Sequence, residues 1–359
     1  MFLRSVLELY MMEGRKHMSE YSVQKLTGYS SSKGSQYLKL HIKKYKYLLD
    51  TFVGPNIGTF NKISILLDFS WCVIRYGAGI NDYFQYNFFK RKSIDRKNFI
   101  VARKWIKIIK ECNGNVQQEL FDEKTRFNSV YGKFLGRDWL DIDECDFEKF
   151  QLFINTHPIS MLKVKNGSGG NGIQVFDVSK VENLNEEFDK LKSKHVMLEE
   201  IIKQHKEMAD FNPSSVNTIR IVTIVYKGSV QIMNAIFRAG NGNGCTDNFH
   251  HGGLAALIDI KTGIVYTTGV DKKNQKYVVH PLSGKKITGF VIPNWREILD
   301  TVKEAAMVTP SVRYVGWDIA LDEKGNVCII EGNCASDPDI TQIPDQIGKW
   351  SEYKNFLRE

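Results

Sequence analysis

No C-x-x-C pair occurs in this chain, and Cys72, Cys112, Cys145, Cys245, Cys328 and Cys334 are scattered along it. That excludes a zinc ribbon and a disulfide framework as organising devices. No apolar run approaches the roughly 20 residues that cross a bilayer. The opening MFLRSVLELYMMEGRKH interrupts its apolar residues with Arg4, Glu8 and Glu13, so it reads as an amphipathic helix and not as a signal peptide. A cytoplasmic protein is the expectation. Also missing are a G-x-S-x-G elbow, a cysteine–histidine signature, an H-E-x-x-H pair and a Walker loop. Covalent catalysis, zinc hydrolysis and a P-loop nucleotide site therefore lack support. The net charge of +8 comes without a zinc finger, an RNP-like aromatic signature or a helix-turn-helix, so no nucleic-acid partner is expected. Anionic substrates, nucleotides or a lipid surface account for that charge equally well, which leaves peripheral membrane contact open.

What is present is ordinary in bulk and uneven along the chain. At 359 residues, 42% hydrophobic and 25% charged, the protein can bury a large core and hold two or three subdomains. Residues 1–115 read as mostly helical, with three-to-four-residue apolar spacing over Lys62–Tyr76 and Arg96–Lys110. The basic stretch KRKSIDRK, Lys90–Lys97, leads into the second of these. A polar break at ECNGN (111–115) ends that region, and a mixed segment follows to about residue 160. From Met161 on, short β-rich runs alternate with glycine turns, and a helix is expected at Asn294–Met307.

The most informative stretch is VGWDIALDEKGNVCIIEGN, Val315–Asn333. Read as a hairpin turning at Lys324–Gly325, it sets Asp318 opposite Glu331, with Asn333 on the same face and Trp317, Ile319 and Leu321 on the other. Directly opposed carboxylates lie about 4.5–5.5 Å apart at Cβ and repel each other. A cation between them removes the repulsion, and two carboxylates with an amide suit a hard ion such as Mg²⁺. Solvated acids on an exposed hairpin are the plain alternative. KNGSGGNG, Lys165–Gly172, carries four glycines in eight residues between two strands. It reads either as a flap whose N–H groups close over phosphates, with Lys163 as a point charge beside it, or as a surface turn. A second hairpin turns at Lys227–Gly228, placing Arg220 opposite Ala235 and Asn217 opposite Arg238. Arginines within apolar strands need partners, either structural carboxylates or a bound phosphoryl or carboxylate group.

Taken in order, LKVKNGSGGNGI (Leu162–Ile173), LEEII (Leu198–Ile202), PSSVNTIRIVT (Pro213–Thr223), FRAG…DNFHHGG (Phe237–Gly253) and GWDIAL…IIEGN (Gly316–Asn333) resemble the ATP-grasp superfamily. Within it they resemble the sugar-transfer-associated branch, over roughly residues 120–345. The resemblance implies an α+β ATP-grasp fold, in which two α+β subdomains clamp ATP, here behind a helical N-terminal region. The implied division is 1–115 helical, 116–345 ATP-grasp and 346–359 tail. Within the ATP-grasp part, a glycine-loop subdomain covers about 160–205 and a metal-binding subdomain about 206–345.

By the same resemblance Lys163 and Lys124 would contact phosphates under the Ser168–Gly169–Gly170 loop. Glu199, Glu200 and Ile202 would belong to the adenine hinge. Asp318, Glu331 and Asn333 would hold Mg²⁺, with Arg220 and Arg238 facing the transferred group and Asn248 on the acceptor side. The implied activity is ATP-dependent carboxylate–amine ligation through an acyl phosphate, releasing ADP and phosphate. Its substrates would be a small carboxylate and an amine, with a sugar or glycan precursor of a cell-surface polysaccharide among the candidates. Phosphotransfer to a sugar and a non-catalytic scaffold remain the alternatives. The sequence departs from the family where Val164 stands in place of the usual proline after the lysine, and in its helical N-terminal part.

Overall fold

The computed structural model describes residues 34–114, 118–167, 172–242, 247, 249 and 252–357. The expected amphipathic helix at the N-terminus lies outside them, as do Ser168, Gly169, Gly170 and Asn248. The chain divides into two units, Met1–Lys107 with Gln346–Lys354, and Ile108–Asp345 with Asn355–Glu359.

Helices Gly34–Phe52, Thr59–Tyr76 and Ile80–Gln85 build the first unit around buried aromatic rings. Phe69 meets Tyr83 edge-on at 5.3 Å and Tyr86 stacks on Phe99 at 4.8 Å. Arg96 grips Asp68 through two bonds of 2.7 and 2.9 Å, while Tyr83 donates to the same carboxylate. The helix read over Arg96–Lys110 is two, Ser93–Arg96 and Ala102–Cys112. Between them Phe99, Ile100 and Val101 are all buried, and no single helical face can bury three consecutive side chains.

The second unit carries two antiparallel sheets. In chain order the strands are β1 (Trp139–Asp141), β2 (Ile159–Val164), β3 (Ile173–Asp177), β4 (Val196–Glu200), β5 (Ile219–Tyr226), β6 (Ser229–Ala239), β7 (Leu254–Leu257), β8 (Gly269–Val270), β9 (Lys276–Tyr277), β10 (Tyr314–Leu321) and β11 (Val327–Asn333). The smaller sheet runs β1-β4-β2-β3 and the larger β11-β10-β5-β6-β7-β8-β9. One face of the smaller sheet packs Leu162, Phe176 and Leu198 against Phe150 and Phe188 of helices Phe147–Thr156 and Leu184–Lys192. One face of the larger sheet packs Ile219, Ile221, Phe237, Trp317, Ile319 and Ile329 with helix Trp295–Ala306. Trp317, Ile319 and Leu321 share one face, as expected, and that face is buried.

Both hairpins of the larger sheet contain a bulge, and the bulges decide which side chains share a face. In β5–β6 the turn lies at Lys227–Gly228, where both residues take the left-handed conformation of a two-residue hairpin loop. The register then shifts between Thr223↔Ile232 and Val222↔Asn234, leaving Met233 as the extra residue. Arg220 consequently faces Ile236, not Ala235. Arg238 exchanges backbone hydrogen bonds with Thr218, not Asn217. In the expected register the two arginines would point to opposite faces; the bulge puts them on one. In β10–β11 the loop is one residue longer than expected. Asp322 and Asn326 pair across Glu323–Gly325, with Gly325 at φ +88°. A bulge at Ile330 offsets that residue, so Asp318 still lies opposite Glu331.

Candidate active site

The polar face of the larger sheet carries a row of charge running from β11 to β6. Glu331 pairs with Asp318, Asp318 with Arg220, and Arg238 lies two residues beyond the partner of Arg220. Asp318 is held by both arginines. Arg220 donates through Nε and, at 2.7 Å, through Nη2, and Arg238 donates through Nη1 at 2.9 and 3.0 Å. Burial alone would raise this carboxyl, but Arg220 and Arg238 outweigh it and hold it well below the usual carboxylate range. The same arginines reach further. Arg220 Nη1 donates to Ser336 at 3.0 Å and Arg238 Nη2 to Asp247 at 2.9 Å, while Arg238 Nε has no partner among the described residues. Gly316 makes room for this cluster, since a Cβ there would sit 2.6 Å from that of Ser336.

Glu331 is different. Half-buried, it makes no hydrogen bond or ion pair among the described residues, and burial together with the neighbouring Asp318 pushes its carboxyl above the usual range. Arg220, Lys124 and Lys163 act in the opposite direction, which brings charges from both sheets to bear on one carboxylate. Asn333 lies on the same face, its Oδ1 accepting from Ala335 N at 2.9 Å and keeping a second lone pair.

The smaller sheet supplies those lysines' surroundings. Lys163 Nζ bonds Glu199 Oε2 at 2.5 Å, and Arg137 grips the same carboxylate through Nε at 2.9 Å and Nη2 at 3.3 Å. Asn128 adds a bond of 3.1 Å. Burial would raise the Glu199 carboxyl, yet Arg137 and Lys163 hold it far below its ordinary value. Arg137 also donates to the carbonyls of Ile329 at 2.8 Å and Ile330 at 3.1 Å, the bulge just before Glu331. It thereby ties the two sheets together. Lys124 begins helix Lys124–Tyr131 and bonds the carbonyls of Gly167 and, at 3.4 Å, Lys165, where the chain enters the glycine loop. Beyond Glu200 the chain crosses to the larger sheet, where His205 N donates to Leu321 O. Ile201, Ile202 and Lys203 form this crossing, outside the named strands.

Two carboxylates, two lysines and two arginines converge between the two antiparallel sheets, and sequence comparison gives this arrangement a family. A model of the sugar-transfer associated ATP-grasp proteins matches residues 107–357. The chain belongs to that family. No curated protein matches it in sequence. Among solved structures it is similar to the ATP-grasp ligase PsnB complexed with a minimal precursor, at 12% identity and a TM-score of 0.44, covering 68% of this chain and 63% of that one. PsnB complexed with its precursor, Mg and ADP gives 13%, 0.44, 68% and 61%. N5-carboxyaminoimidazole synthetase from Staphylococcus aureus, complexed with ADP, gives 9%, 0.38, 62% and 46%. The chain thus spans less than two thirds of the length of these relatives.

Of the residues singled out in the sequence of this ATP-grasp protein, Lys124, Lys163, Arg220, Asp318 and Glu331 act on one another electrostatically, and Asn333 shares their face. Glu199 and Glu200 stand at the end of β4, and both side chains already have protein partners, Glu199 in the interior and Glu200 at the surface. Glu199 meets Arg137 and Lys163, and Glu200 accepts from Asp138 N at 3.1 Å. Arg137 and Asp247 were not foreseen. Arg137 follows a glycine in an irregular stretch where periodicity is silent. Asp247, buried and bonded to Thr218 N at 2.8 Å, opens the DNFHHGG motif, of which the sequence singles out Asn248 and not the aspartate.

Proposed function

We propose that this protein is an ATP- and Mg²⁺-dependent carboxylate–amine ligase of the cytoplasm, acting in cell-surface polysaccharide or sugar-conjugate biosynthesis. The observation that carries the reading is Glu331, a carboxylate without a hydrogen-bond partner among the described residues, opposite Asp318, on a face shared with Asn333 and under the influence of two lysines. Glu331 and Asn333 would hold the metal: both offer oxygen, and an unpaired carboxylate pushed toward protonation is stabilised by a hard cation. Asp318, expected beside them as a ligand, instead has both oxygens taken by Arg220 and Arg238 and would stand behind them. When bound, Mg²⁺ neutralises charge on the phosphate oxygens of the nucleotide. The ATP-grasp domain is assigned to 116–345, with its glycine-loop part at about 160–205 and its metal-binding part at about 206–345.

Each residue then has a task. Lys163 and Lys124 attract the phosphates, and the Ser168–Gly170 segment lies next to Lys124's carbonyl partner Gly167. The backbone of the crossing at Ile201–Lys203 would meet the base edge, with Glu199 and Glu200 fixing the strand that leads to it. Arg238, with a free Nε, and Arg220 align the group in transfer, and Asn248 borders the acceptor. In the first half-reaction a substrate carboxylate oxygen bonds the γ-phosphorus as the bond to ADP breaks. In the second, an amine nitrogen bonds the acyl carbon, phosphate leaves, and the amine loses a proton. No protein nucleophile is required.

Calorimetry of Mg-ATP with wild type and Glu331→Gln tests the site. Magnesium-dependent binding that the variant loses is expected, and equal binding by both proteins would overturn it. Product analysis tests the chemistry. ADP and free phosphate are expected, whereas AMP with pyrophosphate, or phosphate retained on a sugar, would replace the ligase reading.

A further inference from the structure

Helix Thr59–Tyr76 buries Phe69, Cys72 and Tyr76 in its own unit and turns the other way a row of large apolar side chains. Phe60, Ile63, Leu67, Trp71 and Ile74 are 53–83% exposed. At 3.6 residues per turn they fall within an arc of about 80°, forming a stripe ~21 Å long. Scattered exposed hydrophobics need no explanation, but a continuous stripe of five marks a docking surface.

The charge around the stripe selects what docks. The exposed charged residues of this helix are Lys62 and Arg75, both basic; its one acid, Asp68, is half-buried and turned to Arg96 and Tyr83. Residues 34–107 hold fourteen Lys and Arg against four Asp and Glu, so this segment alone exceeds the net charge of the whole protein. Asp82, a second of these acids, is occupied with the backbone N–H groups of Gly79 and Ala102. An isologous contact with a second copy would set two such basic surfaces face to face. An anionic lipid surface instead attracts them, and an apolar stripe containing Trp and Phe inserts at the headgroup boundary. No helix among the described residues is long and apolar enough to cross a membrane.

We infer that the outer face of Thr59–Tyr76 docks this protein onto the surface of an anionic membrane, with the apolar stripe inserted and the basic residues of the unit held near the headgroups. The inference does not depend on the ligase reading. Its test is co-sedimentation of the full chain with vesicles of phosphatidylcholine alone or mixed with phosphatidylserine. Wild type should bind the mixed vesicles at least about ten-fold more tightly than the neutral ones, and less so in high salt. Leu67→Glu with Trp71→Glu should weaken binding at least about ten-fold, as burial of even one such side chain contributes that much. Melting temperature and Mg-ATP binding should stay unchanged in this variant. If it does not fold, Ile63→Ser takes its place, and the wild-type comparison decides by itself. Wild type remaining in the supernatant would overturn the inference, whether the stripe is covered by residues 1–33 or by nothing. So would variants that bind as well as wild type, or a wild-type dimer that the substitutions convert to monomer.

Discussion

The two sheets of the larger unit treat buried charge in opposite ways. On the smaller sheet one acid, Glu199, stands between Arg137 and Lys163, and Asn128 adds a further bond to its carboxylate. On the larger sheet Asp318 and Asp247 take up Arg220 and Arg238, while Glu331, directly opposite Asp318, is left without a partner among the described residues. On the smaller sheet every charged group of the cluster has a partner, and the cluster serves as a clasp, because Arg137 also holds the bulge carbonyls of β11. On the larger sheet Glu331 is left over, and it is there that we propose a ligand binds. Burial of an ion pair is weak evidence for stability, yet removing one partner leaves the other uncompensated, and that asymmetry separates the two sheets by experiment.

Arg137→Met should have the largest effect. It leaves Glu199 with Lys163 and Asn128 alone and strips a donor from three carbonyls, and a cost of about 3–5 kcal/mol in denaturant unfolding is expected. A loss under about 1 kcal/mol would mean that Arg137 is no clasp. Glu331→Gln should do the reverse, leaving unfolding free energy within about 1 kcal/mol of wild type while weakening Mg-ATP binding by about 100-fold, or ~2.7 kcal/mol. Marked destabilisation of the metal-free variant would make Glu331 a structural residue. Asp318→Asn keeps the shape but leaves two guanidinium groups short of charge, so about 2 kcal/mol of stability should be lost. Equal unfolding curves for the Asp318 and Glu331 variants would erase the distinction drawn between the two carboxylates.

Much of this was legible in the chain, and the errors have a common cause. Period-2 alternation placed Trp317, Ile319 and Leu321 on one face, which is the core face, and the hairpin register placed Asp318 opposite Glu331. The second result came from a two-residue turn that the structure does not have; the longer loop and the Ile330 bulge cancel. In β5–β6 the turn was right and the Met233 bulge was not anticipated, so Arg220 was paired with the wrong residue. Both bulges leave a trace. Core-facing residues run Val230, Ile232 and then Ala235, Phe237, Ala239 in β6, and Val327, Ile329 and then Gly332, Cys334 around β11. The apolar alternation slips by one residue at each bulge. Arg137 has no such trace, since its partners are backbone carbonyls of a strand nearly 200 residues away.

Lys163 sharpens the comparison, because it belongs to the closed cluster and also acts on Glu331. Glu199 has a folded-state carboxyl depressed below its unfolded value of about 4.3. The stability it contributes is therefore complete above that unfolded value and is lost as pH falls through the folded one. Lys163→Met removes one of two cations and leaves Arg137, so the folded carboxyl should move part of the way back toward ordinary. One unit of that movement corresponds to about 1.4 kcal/mol. The variant should thus be less stable than wild type by roughly 1 kcal/mol at neutral pH, the smallest effect of the four. The unfolded-state protonation is common to both proteins and cancels, so the difference should stay flat until pH falls through the variant's own folded-state value, below the ordinary carboxylate range, and shrink only beneath it. Urea unfolding at a series of pH values measures it. A difference that stays constant into strong acid would mean that Lys163 stabilises the sheet through packing of its stem, and that Glu199 relies on Arg137 alone.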